Sequence, residues 1–394
     1  MLLEARIDAP TAIRTQIAAI FVSLELSRSN WLITSLSPGN GEKMSRHAVA
    51  AGNLPGLLGL FAELKRKALA RTGKSYPIIT IQEAGLDGFW IHRALQQEGI
   101  ESHVVDAASI AAPRRRRRAK TDKIDGEALL RVLLAYKRGE PRVCAMAVAP
   151  SPEEEDRRRI GREREVLIGE RISHVNRIKG LLFAQGISGY APLRRDRRAQ
   201  LAALSTGDGR ALPQRVKLQI DRELDRLELL LTQLKAVEAE RDALLAALTK
   251  VGDEKPQASH PLAMLLGVKG IGAEFAASLW LECFYRTFAN RRQLAAYAGL
   301  AATPWQSGSI AHEQGVSKGG NPRVRTKMVQ LAWLWLRHQP QSALARWFHE
   351  QGKRERKNWR KSAIVALARK LLVALWKYVS AGVVIEGAVL KGMV

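Results

Sequence analysis

Ile220, Leu224, Leu227, Leu231 and Leu234 recur at alternating spacings of four and three residues, with Asp, Glu, Arg and Lys filling the positions between them. An α-helix returns residues to one face at that interval, so this stretch is predicted to be a long amphipathic helix. A second charged run with a recurring apolar face, EEEDRRRIGREREVLIGERISHVNRIKGLL, begins at Glu153, and GISGYAPL separates the two. Two such helices in succession predict a coiled-coil-like pair. The seam runs only two to three heptads, which suits either a contact between subunits or a hairpin closed within one chain.

On either side the sequence changes character. From Ala18 to Leu36 two apolar runs flank a polar SRSN, which predicts a hairpin, and His47 to Gly52 can add a third short strand. Leu54 to Arg71 has helical spacing, a proline near its first turn and Gly73 as a stop signal. A β-branched strand (77–84), a helix ending at Gly99, a strand (101–107) and a helix from about Thr121 complete an α/β layout with a mixed sheet. After Pro256 the composition shifts again, and seven of the nine tryptophans lie between Trp280 and Trp376 among Arg and Lys. There LLGVKGIGAEFAASL has the order of a helix-hairpin-helix, whose Gly-rich turn, with Lys269, would let backbone amides approach a phosphate; a tight turn between packed helices has the same order. The expected divisions are an α/β domain over 1–145, a helical, oligomerisation-competent region over 146–255 and a mainly α domain over 256–394.

Lys and Arg number 63 against 38 Asp and Glu, a formal net charge of +25, which favours a polyanionic partner, with nucleic acid ahead of an anionic membrane. The two cysteines, Cys144 and Cys283, fit neither a disulfide framework nor a zinc site. The chain has no long uncharged apolar run and no secretory pattern, so a soluble cytoplasmic protein is expected.

The densest positive run is RRRRRAKTDKID: Arg114, Arg115, Arg116, Arg117 and Arg118, then Lys120, then Asp122 and Asp125. With a helix starting near Thr121, both aspartates fall on the face that continues through Leu129, Val132, Leu133 and Tyr136, the stripe expected to meet the sheet. Acids in a first turn complement the helix dipole, yet on an apolar face they are costly unless a cation lies between them. Glu25, in the apolar run IFVSLEL, and Glu83, ending ITIQE, are two further acids. If the first and fourth strands lie side by side, all four carboxylates converge, the donor set of a two-metal site acting at phosphorus, while the arginines neutralise flanking phosphates. Each acid has a plainer alternative: Glu25 as an edge-strand residue, Glu83 as a helix-start acid. Asp8 ranks below Glu25 because no apolar strand surrounds it, and Asp87, Asp106 and Glu127 read as surface or capping residues.

Over nearly its whole length the chain resembles the insertion-sequence transposases of the one-hundred-and-ten family. The motifs that carry the resemblance are QEAG, KTDKID, LLGVKGIG, FANRRQLAAYAGLAATPWQSGS and GVSKGGNPRVR, in that order. The resemblance implies an N-terminal RuvC-like, RNase H-like domain with a DEDD acid set and a C-terminal serine transposase domain. It implies that Glu83, Asp122 and Asp125 are metal ligands and catalytic, with Glu25 where the family usually has aspartate and Arg28 near its lysine, and that the metal is magnesium or manganese. It makes Ser307 of WQSGS the nucleophile, ahead of Ser309 and Ser317, and casts Lys318, Asn321, Arg323 and Arg325 as phosphate contacts. The activity implied is cutting and rejoining of DNA by a homo-oligomer, a dimer or tetramer in the bacterial nucleoid, guided by a non-coding bridge RNA encoded by the element. The alternatives are a RuvC-like Holliday-junction nuclease that uses the acids alone, and a catalytically impaired nucleic-acid-binding relic with Glu25 as the lesion.

Overall fold

The computed structural model describes residues 18–41, 43–85, 88–110, 122–141, 143–250, 260–307, 310–317, 319–352 and 359–391; at 108, 122–124, 250, 304–307 and 310–314 the description is of the backbone alone. The chain divides into two compact units, Met1–Pro150 and Ser151–Val394.

In the first unit, the runs expected as strands form β1 (Ile20–Glu25), β2 (Asn30–Leu36), β3 (Met44–Ala50), β4 (Ile78–Glu83) and β5 (Glu101–Val105). They make one mixed sheet in the order β3-β2-β1-β4-β5. β1 is antiparallel to β2 and β2 to β3, while β1–β4 and β4–β5 are parallel. β1 is therefore central, and alternation sends its apolar residues to two different cores. Ile20, Val22 and Leu24 pack with Leu57, Phe61 and Leu64 of α1 (Leu54–Thr72) and with Ile91 and Leu95 of α2 (Trp90–Gln97). Phe21 joins Ile79 and Ile81 of β4 beneath Leu129, Leu130 and Leu133 of α3 (Asp122–Lys137). α1 starts where the Asn53 side chain accepts from the Gly56 amide and ends at Gly73, in agreement with the proline and glycine signals. The expected stripe of α3 needs one correction. Tyr136 is 40% exposed and meets the His103 ring edge-on at the β5 margin, and Leu130 takes its place in the buried row.

The second unit opens with α4 (Pro152–Phe183), held at its start by a reciprocal capping box of Ser151 and Glu154. After α5 (Arg197–Ala202), α6 (Gln214–Lys250) returns along it. Ile220, Leu224 and Leu227 are fully buried with Ile178 and Leu182, and Leu230, Leu234 and Val237 pack on Leu167. The seam is thus closed within the chain. Leu231 is half-buried against the Ile220, Leu224 and Leu227 cluster as expected, and Leu230 joins the buried row beside it.

Beyond the hairpin come α7 (Pro261–Gly267) and α8 (Ala273–Leu279), which runs on as a π-helical turn, Trp280–Phe284. They are followed by α9 (Arg291–Tyr297), β6 (Ala302–Ser307), β7 (Ile310–Val316), α10 (Pro322–His338), α11 (Ala343–Gly352) and α12 (Trp359–Ala381). Met328, Leu331 and Trp335 of α10 share a core with Leu367, Leu371 and Leu375 of α12. The β6–β7 ribbon is an addition to a region read from sequence as mainly helical. Arg164 joins the hairpin to this bundle, pairing with Glu238 at 2.7 Å and Glu274 at 2.8 Å. Among the described residues no helix is long and apolar enough to cross a membrane.

Glu223, 4% exposed, accepts hydrogen bonds from His174, Arg177 and Arg226 inside the hairpin. Burial works to raise its pKa, but the hydrogen bonds from His174 and Arg177 outweigh it and hold the carboxyl below the usual range. A depressed folded-state pKa contributes stability that is complete above the unfolded value and is lost as pH falls through the folded one. Glu223→Gln should therefore lower the melting temperature at pH 7 and flatten the acid loss of stability below about pH 4. Melting curves across pH 3 to 8 decide it: an unchanged acid slope would assign that loss to another carboxylate.

Candidate functional site

Burying an unpaired carboxylate in a sheet core is prohibitive, so an acid on a central strand belongs at its end. Glu25 and Glu83 are the last residues of β1 and β4. Leu24 pairs with Gln82, so the two acids follow each other's register at the same end of adjacent parallel strands. Alternation sets both on the face shared by Phe21, Ile79 and Ile81, which is the face α3 covers. There the Ser23 hydroxyl donates to the Gly126 carbonyl at 2.7 Å. From Gly126 the helix runs back over the hydrophobic cluster of Phe21, Ile79 and Ile81, so Asp125 and Asp122 lie toward the strand ends that carry Glu25 and Glu83. One helical turn, about 6 Å of rise, separates Asp122 from Gly126. The side chain of Asp122 lies outside those described. Among the described residues no three carboxylate, imidazole or thiol groups gather closely enough to hold an ion. The chemistry of the set, oxygen donors without sulfur or imidazole, suits a hard divalent cation such as magnesium or manganese. Glu127, expected at the surface, pairs with Arg46 of β3 at 3.0 Å. Arg114 to Arg118, Lys120, Asp8 and Asp87 lie outside the described residues.

In the second unit the sequence AGL…SGS…GVSKGGN folds as a ribbon on a backbone crossing. β6 and β7 pair antiparallel, with Ser307 opposite Ile310 in the last pair before the turn, so Ser307 sits at the ribbon's tip. At the base, the Ser317 amide donates to the Ala301 carbonyl at 2.7 Å and the Asn321 amide to the Tyr297 carbonyl at 2.6 Å. Gly299 and Gly320 permit this approach. Both have positive φ, +63° and +89°, and a Cβ at Gly320 would stand 2.4 Å from the Tyr297 carbonyl oxygen, one at Gly299 2.4 Å from that of Gly319. His312 pairs with Trp305, two residues from Ser307, and alternation gives the three same-face positions on the ribbon.

The expected phosphate contacts divide. Asn321 is bound within the fold: its Oδ1 caps α10 at the amides of Arg323 and Val324, and its Nδ2 donates to Glu282 at 3.1 Å and to the Tyr297 hydroxyl. Arg323 Nε pairs with Glu165 at 2.9 Å on a side chain 41% exposed. Arg325 lies one turn into α10, beside Gly299. The Lys269 side chain is exposed, but its amide donates to the Val389 carbonyl and its carbonyl accepts from Gln339, while Gly270 lies against His338. The glycine turn is therefore packed against the end of α10 and the segment around Val389. Lys318 and Ser309 lie outside the described residues.

Burial pushes the Cys283 thiol and the Tyr297 phenol well above their usual ranges, and raises Cys144 as well. Neither thiol is a ready thiolate at neutral pH.

Residues 262–347, which contain the ribbon and its crossing, match the model of the transposase IS116/IS110/IS902 family. A Sinorhizobium fredii protein provisionally named transposase y4rJ is 70% identical over 388 residues, 98% of each chain. An uncharacterised 43.6 kDa protein of insertion element IS110 from Streptomyces coelicolor is 29% identical over 163 residues, 41% of this chain and 36% of its own.

The crossing makes a stability prediction. Gly320→Ala sets a β-carbon against backbone in a left-handed conformation and should cost on the order of 3 kcal/mol. Gly315→Ala has nearly the same φ, +90°, with nothing among the described residues within 4 Å, and should cost only about 1–2 kcal/mol. Denaturant unfolding of the two variants measures the difference, and equal losses would remove the crossing as the reason for glycine at 320.

Proposed function

Because the chain belongs to the IS116/IS110/IS902 family of transposases, we propose that it is the recombinase of an insertion sequence, cutting and rejoining DNA by phosphoryl transfer from two sets of residues. Glu25, Glu83, Asp122 and Asp125 form one set, and Ser307 the other. The observation that carries the first is the register of β1 and β4, which ends two parallel neighbours on carboxylates at the face of α3. The sheet order β3-β2-β1-β4-β5, three antiparallel strands followed by two parallel ones, supports a RuvC-like, RNase H-like reading of the unit.

In the proposed reaction the Ser307 oxygen bonds to phosphorus as one ester P–O bond of the DNA breaks. The serine gives up its proton and the departing deoxyribose oxygen takes one up. Attack by a hydroxyl of another strand end then restores a phosphodiester and frees the serine. One P–O bond forms for each one lost, so the sequence needs no external energy source. A serine hydroxyl is a weak nucleophile unless a base or a metal activates it. Magnesium or manganese held by the four acids would stabilise charge on phosphoryl oxygens, and the residues' part is to fix those oxygen donors. Glu25 brings one more methylene than aspartate, a change in reach that the other three ligands must accommodate.

The excess of Lys and Arg suits neutralisation of DNA phosphates and equally of a structured RNA. A guide RNA from the element, assembly as a dimer or tetramer and a nucleoid location belong to the same proposal.

Strand exchange with the element's own ends and RNA is the test. Ser307→Ala and Asp125→Asn should each lower it at least about 1000-fold while leaving DNA binding in a mobility-shift assay within about threefold. A DNA adduct mapped to Ser307 is expected from wild type. Metal-dependent cleavage that ignores Ser307→Ala would instead indicate a structure-specific nuclease, and an inert wild type restored by Glu25→Asp would indicate a decayed enzyme.

A further inference from the structure

Along the α3 face of the sheet, the β1–β2 pairs run from Phe21 with Leu36, through Ser23 with Thr34, to Glu25 with Leu32. The middle pair is polar and small, and both residues are fully buried. Gly126 rests on that pair. A Cβ built there would stand 2.8 Å from the Thr34 hydroxyl oxygen and 3.7 Å from that of Ser23. Glycine inside a helix costs about 1 kcal/mol relative to alanine, so the position requires a reason, and close approach supplies it. The Ser23 hydroxyl meanwhile holds the Gly126 carbonyl at 2.7 Å, while the Thr34 hydroxyl finds no partner among the described residues.

We propose that Ser23, Thr34 and Gly126 are positioning residues that set the depth and register of α3 on the sheet, and through it the placement of Asp122 and Asp125 relative to Glu25. The proposal rests on the reading of those acids as metal ligands. The hydrogen bond fixes where the helix lies along β1; the missing β-carbon fixes how far it descends. Metal sites tolerate errors of only about 0.2 Å in ligand distance, and a methyl group inserted at 2.8 Å must displace something by more than that. Groups that orient metal ligands in this way typically change affinity by about 10–100-fold when altered. The structural alternative, that the three residues merely pack the helix, predicts a change in stability with no change in metal affinity.

The experiment uses the full chain and manganese as the probe, with affinity from calorimetric titration and folding from melting without metal. Gly126→Ala should weaken manganese binding at least about tenfold, and adding Thr34→Ala, which removes the obstructing hydroxyl and methyl, should recover most of it. Ser23→Ala, which introduces no clash, should weaken binding about threefold or more, and it stands in should Gly126→Ala fail to fold. Wild-type affinity in folded Gly126→Ala, or in Ser23→Ala, overturns the proposal, as does a double variant no better than Gly126→Ala. A wild-type chain that binds no manganese overturns the metal reading of the acids and this proposal with it, an outcome distinct from the others because it appears before any substitution is made.

Discussion

A strand buried on both faces can carry a charge only where it leaves the core. β1 is such a strand, flanked by β2 and β4 and covered by helices on each side, and its one carboxylate is its last residue. β4 repeats the arrangement with Glu83. The cost of burying an unpaired carboxylate, several kcal/mol, thus gathers acids at one end of the parallel pair without any further instruction. Packing of α3 on the same face brings its first turn to that end. The strand ends and the start of α3 therefore meet through the core's own requirements, with α3 resting closely on Thr34 at Gly126.

The second unit holds a short ribbon, β6–β7, over a backbone crossing. A two-stranded ribbon is marginal in isolation. Here its base is tied by backbone hydrogen bonds at Ser317 and Asn321, and by glycines that let two loops cross at carbonyl distance. Asn321 then uses both ends of its side chain, one to cap α10 and the other to hold Glu282, which in turn accepts from Arg162 at 2.9 Å. A perturbation of this crossing reaches the ribbon through the backbone, which is why the motif is rich in residues that carry no reactive group.

Local pattern made much of this legible. The strands and helices of the first unit follow from alternation and from the Pro55 and Gly73 signals, and the acids stood out because they interrupt apolar runs. What escaped were features that depend on tertiary approach. Tyr136 obeys the helical period but lies at the sheet's margin. The β6–β7 ribbon contains Pro304 and several polar residues, which hide a strand from propensity, and the proline is accommodated at a register shift. The close approach of α3 to Thr34 at Gly126 is likewise a matter of tertiary placement, invisible in the local sequence.

The same distinction governs the arginines. Counting charge in the sequence treats all of them alike, yet many are engaged with acids. Arg241, with a side chain 10% exposed, contacts Asp242 and Glu274, and Arg158 is buried over the Tyr285 ring at 3.7 Å. Neither guanidinium stands at the surface, where a phosphate could meet it. Arg323 is paired too, but its side chain is 41% exposed, and an exposed pair contributes only about 0–1 kcal/mol. A phosphodiester, which carries the same single charge as the Glu165 carboxylate, can take its place cheaply because so little holds the exposed pair. Burial, more than pairing, decides which arginines remain available to a polyanion, so the net charge read from the sequence overstates the surface that can meet nucleic acid.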